Sequence, residues 1–127
     1  MILVDSSGWI EFFVDGPLAE DYARYLRRPS RIITPTIVQF EVYKRIRRDR
    51  GEDDGLRAIA ATQKTRIVPM TTEIALMAAD LALDHGLAMA DAIVLATARS
   101  EKAELVTSDS DFSGIAGVTY LAKRPQG

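Results

Sequence analysis

Met1-Ile2-Leu3-Val4-Asp5-Ser6-Ser7 begins the chain with consecutive aliphatic residues that run into a carboxylate and two hydroxyls. An apolar, β-branched run without alternation reads as a strand buried on both faces, the strand type of a parallel sheet. Open α/β sheets collect their ligands beyond the carboxyl ends of the strands. Asp5 therefore stands where a functional group belongs, and the other segments are read by what they bring to it.

Ser6 or Ser7 is expected to cap a short helix through Trp9, Ile10, Phe12 and Phe13, broken by Gly16-Pro17. A second helix is predicted over Leu18 to Arg28, with Leu18, Tyr22, Tyr25 and Leu26 on its apolar face, followed by a strand over Arg31 to Thr34. Pro35 suits the start of the next helix, where its missing N–H is not needed, and that helix runs from about Thr36 to Arg50, stopping at Gly51. Glu52-Asp53-Asp54 favours a fourth helix start, with Leu56, Ile59 and Ala60 expected inward. Thr65 to Val68 reads as a strand. Thr72 is expected to cap a helix with Ile74, Met77, Ala78, Leu81 and Ala82 at helical spacing, closed by Gly86. A helix apolar on nearly every side begins near Asp91. Glu104 to Thr107 and Val118 to Leu121 read as the last strands, with a turn at Ser108 to Phe112 between them.

Strands alternating with helices predict an α/β sandwich with a parallel sheet. Residues 1–122 are expected to form a single domain and 123–127 a flexible tail. At 127 residues, with 47% hydrophobic and 27% charged content, the chain falls in the ordinary globular class. It has no cysteine, which excludes disulfides, thiolate metal sites and cysteine nucleophiles. Its one histidine, His85, argues against a His-rich zinc site and reads as a helix-end residue without a catalytic role. No basic leader precedes the first apolar run, and no apolar stretch nears the ~18 residues of a membrane span. A cytoplasmic protein is expected.

The net charge of −2 conceals an asymmetry. Arg24 to Arg66 contains twelve of the sixteen basic residues, whereas Glu73 to Asp111 contains eight acids against Arg99 and Lys102. Four acids are hard to place on a solvated surface. Asp5 and Asp109 each follow an apolar strand, Glu41 shares a helix side with Ile37 and Val38, and Asp91 heads the most apolar helix. Taken singly, Asp91 also reads as an N-cap, Asp109 and Asp111 as turn residues, and Glu41 as a partner of Arg45 one turn on. Taken together, buried carboxylates require a partner or a metal. An all-oxygen donor set without Cys matches Mg2+ or Mn2+.

The opening Ile-Leu-Val-Asp-Ser-Ser-Gly-Trp-Ile, the lone Glu41, Ala90-Asp91-Ala92-Ile93-Val94-Leu95-Ala96-Thr97-Ala98 and Thr107-Ser108-Asp109-Ser110-Asp111-Phe112 follow in order along the whole chain. In this succession the sequence resembles the PIN-domain ribonucleases, and among them most the VapC toxins of bacterial toxin–antitoxin pairs. The resemblance implies a three-layer α/β/α sandwich around a mostly parallel twisted sheet. It also implies a Mg2+- or Mn2+-dependent endoribonuclease that inhibits translation, with Asp5, Glu41, Asp91 and Asp109 as the catalytic, metal-binding quartet. Ser6 and Thr107 match hydroxyl positions of the motifs, and Asp111 is a candidate auxiliary ligand. A metal-activated water would act as nucleophile and leave a 5′-phosphate. A VapB-like antitoxin, able to block the site with an Arg or Lys, and a homodimer are further implications.

Lys44, Arg45, Arg47, Arg48 and Arg50 crowd one helix end. They read either as cations suited to the helix dipole or as a ridge for RNA phosphates or an antitoxin, with Lys44, Arg45 and Arg48 the leading candidates. Trp9, Phe12, Phe13, Tyr22 and Tyr25 read as core packing or as a groove for a partner's amphipathic segment. Two other functions compete. A phospho-acceptor receiver domain is disfavoured because Asp5 is followed by Ser6-Ser7 and the middle strands end at Thr34-Pro35 and Val68-Pro69. A catalytically silent PIN-like module that binds RNA or protein would be signalled by loss of an acid, and all four are present.

Overall fold

Leu3 and Val4 are fully buried in strand β1 (Ile2–Val4), as an unbroken apolar run requires. Strands β2 (Ile32–Pro35), β3 (Arg66–Val68), β4 (Glu104–Thr107) and β5 (Val118–Tyr120) complete one sheet in the order β3-β2-β1-β4-β5. Every neighbouring pair is parallel. The computed structural model describes residues 1–123. The remainder of the expected tail, 124–127, lies outside the described residues.

Six helices join the strands: α1 (Ser6–Phe13), α2 (Ala19–Leu26), α3 (Thr36–Arg50), α4 (Glu52–Thr62), α5 (Thr72–His85) and α6 (Met89–Ser100). The chain steps β1 to β2 to β3 in one direction and then crosses back to β4. Right-handed crossovers therefore put α1 to α4 on one face of the sheet and α5 and α6 on the other. The packing of α1 on α2 and α3, of α3 on α4, and of α5 on α6 agrees with that division. The result is the expected α/β/α sandwich, and its sheet is parallel throughout the described strands. Ile32, Ile33, Leu105 and Val106 lie beside Leu3 and Val4 with at most 1% exposure, each contributing on the order of 2 kcal/mol by leaving water.

Several expected details are corrected. Asp5, rather than Ser6 or Ser7, is the N-cap of α1, its carboxylate accepting from the Ser6 N–H. Thr71, rather than Thr72, caps α5 by accepting from Ile74 N–H, and α5 closes at Gly86 in the left-handed conformation. The second helix spans only Ala19–Leu26, because Pro29–Arg31 forms a 3-10 turn that delivers the chain to β2. Asp91 is no N-cap, since α6 begins at Met89 with Ala88 at the cap position. The inward face of α4 is Gly55, Ala58 and Thr62, while Leu56 and Ala60 are exposed and Ile59 is half-buried. A side chain at Gly55 would strike Tyr43 and Arg47. The bare glycine lets α4 approach α3 there, which turns Leu56 outward. Gly8 plays the same part in α1, where a Cβ would run into the Tyr22 ring and a Val4 methyl. No single helix among the described residues is long and apolar enough to cross a membrane.

Candidate active site

The strand order reverses between β1 and β4, and at such a switch point the loops leaving the two strands part and open a crevice. Asp5 ends β1 and Asp109 follows β4, so the sheet places both at that crevice. Glu41 enters from the second turn of α3 and Asp91 from the first turn of α6. All four line one cleft of about 350 Å³, together with Ser6, Ser7 and the rim residues Phe40, Lys44, Arg45 and Arg48. The four acids singled out from sequence therefore line one cleft, although they come from four separate elements, and Asp5 and Glu41 stand outside the tighter group that Asp91 and Asp109 form with Asp111.

Asp5 lies at the base, 3% exposed. One carboxylate oxygen accepts from Ser6 N–H at 2.8 Å, and the other accepts from the Thr107 hydroxyl at 2.8 Å. Thr107 Oγ1 in turn accepts from Asp109 N–H at 3.0 Å. Ser7 ties the same strands from the other side. Its hydroxyl donates weakly to Asp5 at 3.4 Å and accepts from Ser108 N–H at 3.2 Å. The sequence suggests Ser7 only as a cap. The signal for its bridging role is its place two residues after a strand-end acid, where one turn of helix brings its side chain back toward that acid. Beneath this network the Tyr22 ring packs on Gly8, and its buried hydroxyl lies near Ser7 and Ser108 without a well-formed hydrogen bond. Burial pushes that hydroxyl up to about 12 against the opposing Ser108 and Ser7 side chains.

The electrostatics show a site short of positive charge. Burial pushes the Asp5 carboxyl up to about 6 against the donors that hold it down, and Glu41 and Asp109 add to the rise. Asp91 is also pushed up to about 6, by burial first and then by Asp109, Asp5 and Asp111. Glu41 is raised by burial and by Asp91 and Asp109, with the Ser6 hydroxyl opposing. The rim arginines do not relieve this. Arg45 and Arg48 both point their Nε at Asp49, 2.8 Å away, and hold its carboxyl down at about 2. Arg45 thus pairs with Asp49 and not with Glu41.

Asp91, Asp109 and Asp111 each offer an oxygen within 4.8 Å of the others. Asp111 is more exposed than the rest, and its N–H donates to Asp109 at 2.9 Å, so Asp109 also caps the 3-10 turn Ser110–Phe112. The donor set is all carboxylate and hydroxyl oxygen. It fits a hard divalent cation such as Mg2+ or Mn2+. Glu11, the other buried acid, is structural: it accepts from Leu18 N–H at 2.9 Å and holds the turn between α1 and α2. His85 ends α5, exposed, and takes no part in lining the cleft.

The aromatics divide. Trp9 and Tyr22 are core, Phe13 and Tyr25 pack against it, and Phe12 is 37% exposed. Trp9 and Phe12 also line a groove of about 520 Å³ with Leu26 and Ala61, and the buried Trp9 indole N–H has no acceptor.

Residues 2–118 match the PIN domain family, and the chain belongs to it. Within that family its likeness is to the toxins of toxin–antitoxin systems. A toxin–antitoxin complex from Klebsiella pneumoniae contains a chain 28% identical, with a TM-score of 0.79 over 94% of this chain and 96% of that one. VapC20 of Mycobacterium tuberculosis, described as a toxin that cleaves the sarcin-ricin loop, shares 20% identity at a TM-score of 0.78, covering 98% of this chain and 100% of its own. A DNA-bound VapBC from Salmonella typhimurium has a TM-score of 0.74 at 17% identity, covering 98% and 100%. No protein of curated function matches the sequence.

Proposed function

We propose that the protein is a divalent-metal-dependent endoribonuclease, the toxin of a VapBC-type pair, and that it inhibits translation by hydrolysing RNA phosphodiesters. The observation that carries this reading is the convergence of Asp5, Glu41, Asp91 and Asp109 on one cleft at the sheet's switch point, with the nearest arginines committed to Asp49. Residues 1–122 act as its single domain, in the cytoplasm.

Asp5, Glu41, Asp91 and Asp109 would hold Mg2+ or Mn2+, with Asp111, whose carboxylate already lies beside Asp91 and Asp109, as an auxiliary ligand. Such an ion supplies Lewis acidity toward the phosphate and lowers the pKa of attacking water. The chain's own groups orient the site. Thr107 and the Ser6 N–H fix both oxygens of Asp5, and the Thr107–Asp109 bond sets the distance between the two strand-end acids. The Ser6 hydroxyl faces Glu41. Lys44, Arg45 and Arg48 line the rim, where an RNA backbone or an antitoxin would pass.

A VapB-like antitoxin is the expected partner, since two of the relatives are toxin–antitoxin complexes. The Trp9–Phe12–Leu26–Ala61 groove supports its docking by offering a largely apolar channel with the cations Arg27 and Lys64 in its lining. A homodimer is supported by the apolar surface that runs through Phe40, Met70, Ile93 and Met89, of which Phe40, Met70 and Met89 are each more than half exposed.

The test is cleavage of a total RNA pool by antitoxin-free protein with Mg2+, Mn2+ or chelator, beside Asp5→Asn. Discrete, metal-dependent fragments with 5′-phosphate ends, missing with Asp5→Asn, are expected. Folded protein that binds metal and cuts no RNA would turn the reading toward a silent binding module. Equal cleavage by Asp5→Asn would place the activity elsewhere.

A further inference from the structure

At the end of the sheet opposite the acidic cleft, Arg24, Arg27, Arg28 and Arg31 surround a pocket of about 300 Å³ whose remaining walls are Ile2 and Tyr25. Ile2 is the first residue of β1 and Arg31 immediately precedes β2, which fixes the pocket at the amino ends of the strands. All four arginines are exposed, and none lies in an ion pair with an acid among the described residues. Elsewhere Arg45, Arg48, Arg57 and Arg66 each have a carboxylate within 2.8 Å. The α2 C-terminus accounts for one or two cations through its dipole, but not for four guanidinium groups around one concavity.

The cleft offers RNA few cations. It is lined by mutually repelling acids, Arg45 and Arg48 on its rim pair with Asp49, Lys44 alone of its rim cations has no acid partner among the described residues, and the whole chain carries a net charge of −2. RNA affinity comes chiefly from phosphate contacts, so cations away from the cleft would add to the hold of the rim on a polyanion. Guanidinium forks match phosphate oxygens in a bidentate way, and the half-buried Tyr25 ring offers an apolar wall. We infer that the Arg24–Arg27–Arg28–Arg31 pocket is an RNA-backbone exosite that anchors long substrates on the side of the sheet remote from the cleft. The inference rests on the reading of RNA as substrate.

The test uses the full chain carrying Asp5→Asn to silence cleavage, a fluorescein-labelled RNA hairpin, and anisotropy titrations over a range of salt with Mg2+ present. The combined Arg24→Gln, Arg27→Gln, Arg28→Gln and Arg31→Gln variant is expected to bind at least about tenfold more weakly, and its salt dependence should shrink by about 0.7 for each phosphate no longer neutralised. Arg→Lys at the same positions keeps charge without the fork and should retain most of the salt dependence, which separates electrostatics from misfolding. With Asp5 restored, cleavage of a dinucleotide, too short to span the sheet, should be unchanged by the Gln set. If the Gln set binds the hairpin with unaltered affinity and salt dependence, the exosite is overturned while the nuclease reading stands. If the parent binds no RNA, the functional reading beneath it falls. Should the substitutions weaken binding of poly-glutamate and not of RNA, the pocket is a protein-docking site and the inference is wrong.

Discussion

Two ends of one sheet carry opposite unbalanced charge, and they are built in opposite ways. At the carboxyl ends of β1 and β4, the acids Asp5, Glu41, Asp91 and Asp109 come from four elements spread along most of the chain. At the amino ends of β1 and β2, four arginines come from one short stretch of α2 and the turn after it. The acidic end exists only if the tertiary fold is correct. The basic end draws its charge from α2 and its turn alone, with Ile2 of β1 as a wall. Desolvation also separates them, because Asp5 is buried and the arginines are open to solvent. Perturbations of packing should therefore be felt at the acids and hardly at the arginines.

The largest expected effect is that of Asp5→Asn. Metal-dependent cleavage should fall by more than about 100-fold, since even residues that merely support a metal ligand cost 10–100-fold when changed. Asparagine retains the oxygen that caps α1 and removes the repelling charge, but its NH2 cannot accept from the Thr107 hydroxyl, so metal-free thermal denaturation should show a smaller loss of stability than Thr107→Val. A marked fall in Tm would mean that Asp5 serves the fold more than the site.

The pH dependence comes next. Asp5 and Asp91 have carboxyls raised from 3.8 to about 6 in the folded protein. The native state then holds more protons than the unfolded chain between about 4 and 6, and through these two groups metal-free stability declines as pH rises across that window. Metal binding needs both groups ionised, so the gain in Tm from Mg2+ or Mn2+ should be full above about 6 and disappear toward 4. Calorimetry with and without metal across that range checks both signs. A metal-induced gain that persists at the acid end would remove Asp5 and Asp91 from the ligand set.

Thr107→Val tests the link between the strand-end acids. It deletes the donor to Asp5 and the acceptor for Asp109 N–H at nearly constant shape, which should cost about 1–3 kcal/mol of stability and 10–100-fold in metal affinity. Isothermal titration and denaturant unfolding separate the two. The smallest effect is expected from the four arginine-to-glutamine changes on metal affinity, which should stay within about twofold because surface charges beyond a Debye length are screened. A larger change would couple the two ends.

Much of this organisation is legible in the sequence because its signals are local and redundant. An apolar run such as Ile2-Leu3-Val4 has one economical place in an α/β fold, and Asp5 and Asp109 follow from chain direction once the strands are parallel. Asp91 and Glu41 are legible as acids on otherwise inward-facing helix sides. Sequence reasoning fails where a neighbour distant along the chain decides the outcome. The exposure of Leu56 depends on Gly55 meeting Tyr43 on another helix. Arg45 pairs with Asp49 rather than Glu41 because Glu41 turns into the cleft and Asp49 shares the solvent side with Arg45 and Arg48. Asp111 reads as a turn residue, and its amide does serve a turn, yet its carboxylate still reaches Asp91 and Asp109. The site's residue types are readable; which hydroxyl binds which oxygen is not, because that depends on distances of a few tenths of an ångström.

Asp5 caps α1 with one oxygen and receives the Thr107 hydroxyl with the other, so both lone-pair directions toward the protein are committed before any cation arrives. Its rotamer is selected when the sheet closes. The conformational entropy of ordering this ligand is thus lost in folding rather than in metal association, and the side chain has no search left to make. Metal should bind here with a small entropic cost at Asp5, whereas the exposed Asp111 still has its freedom to lose.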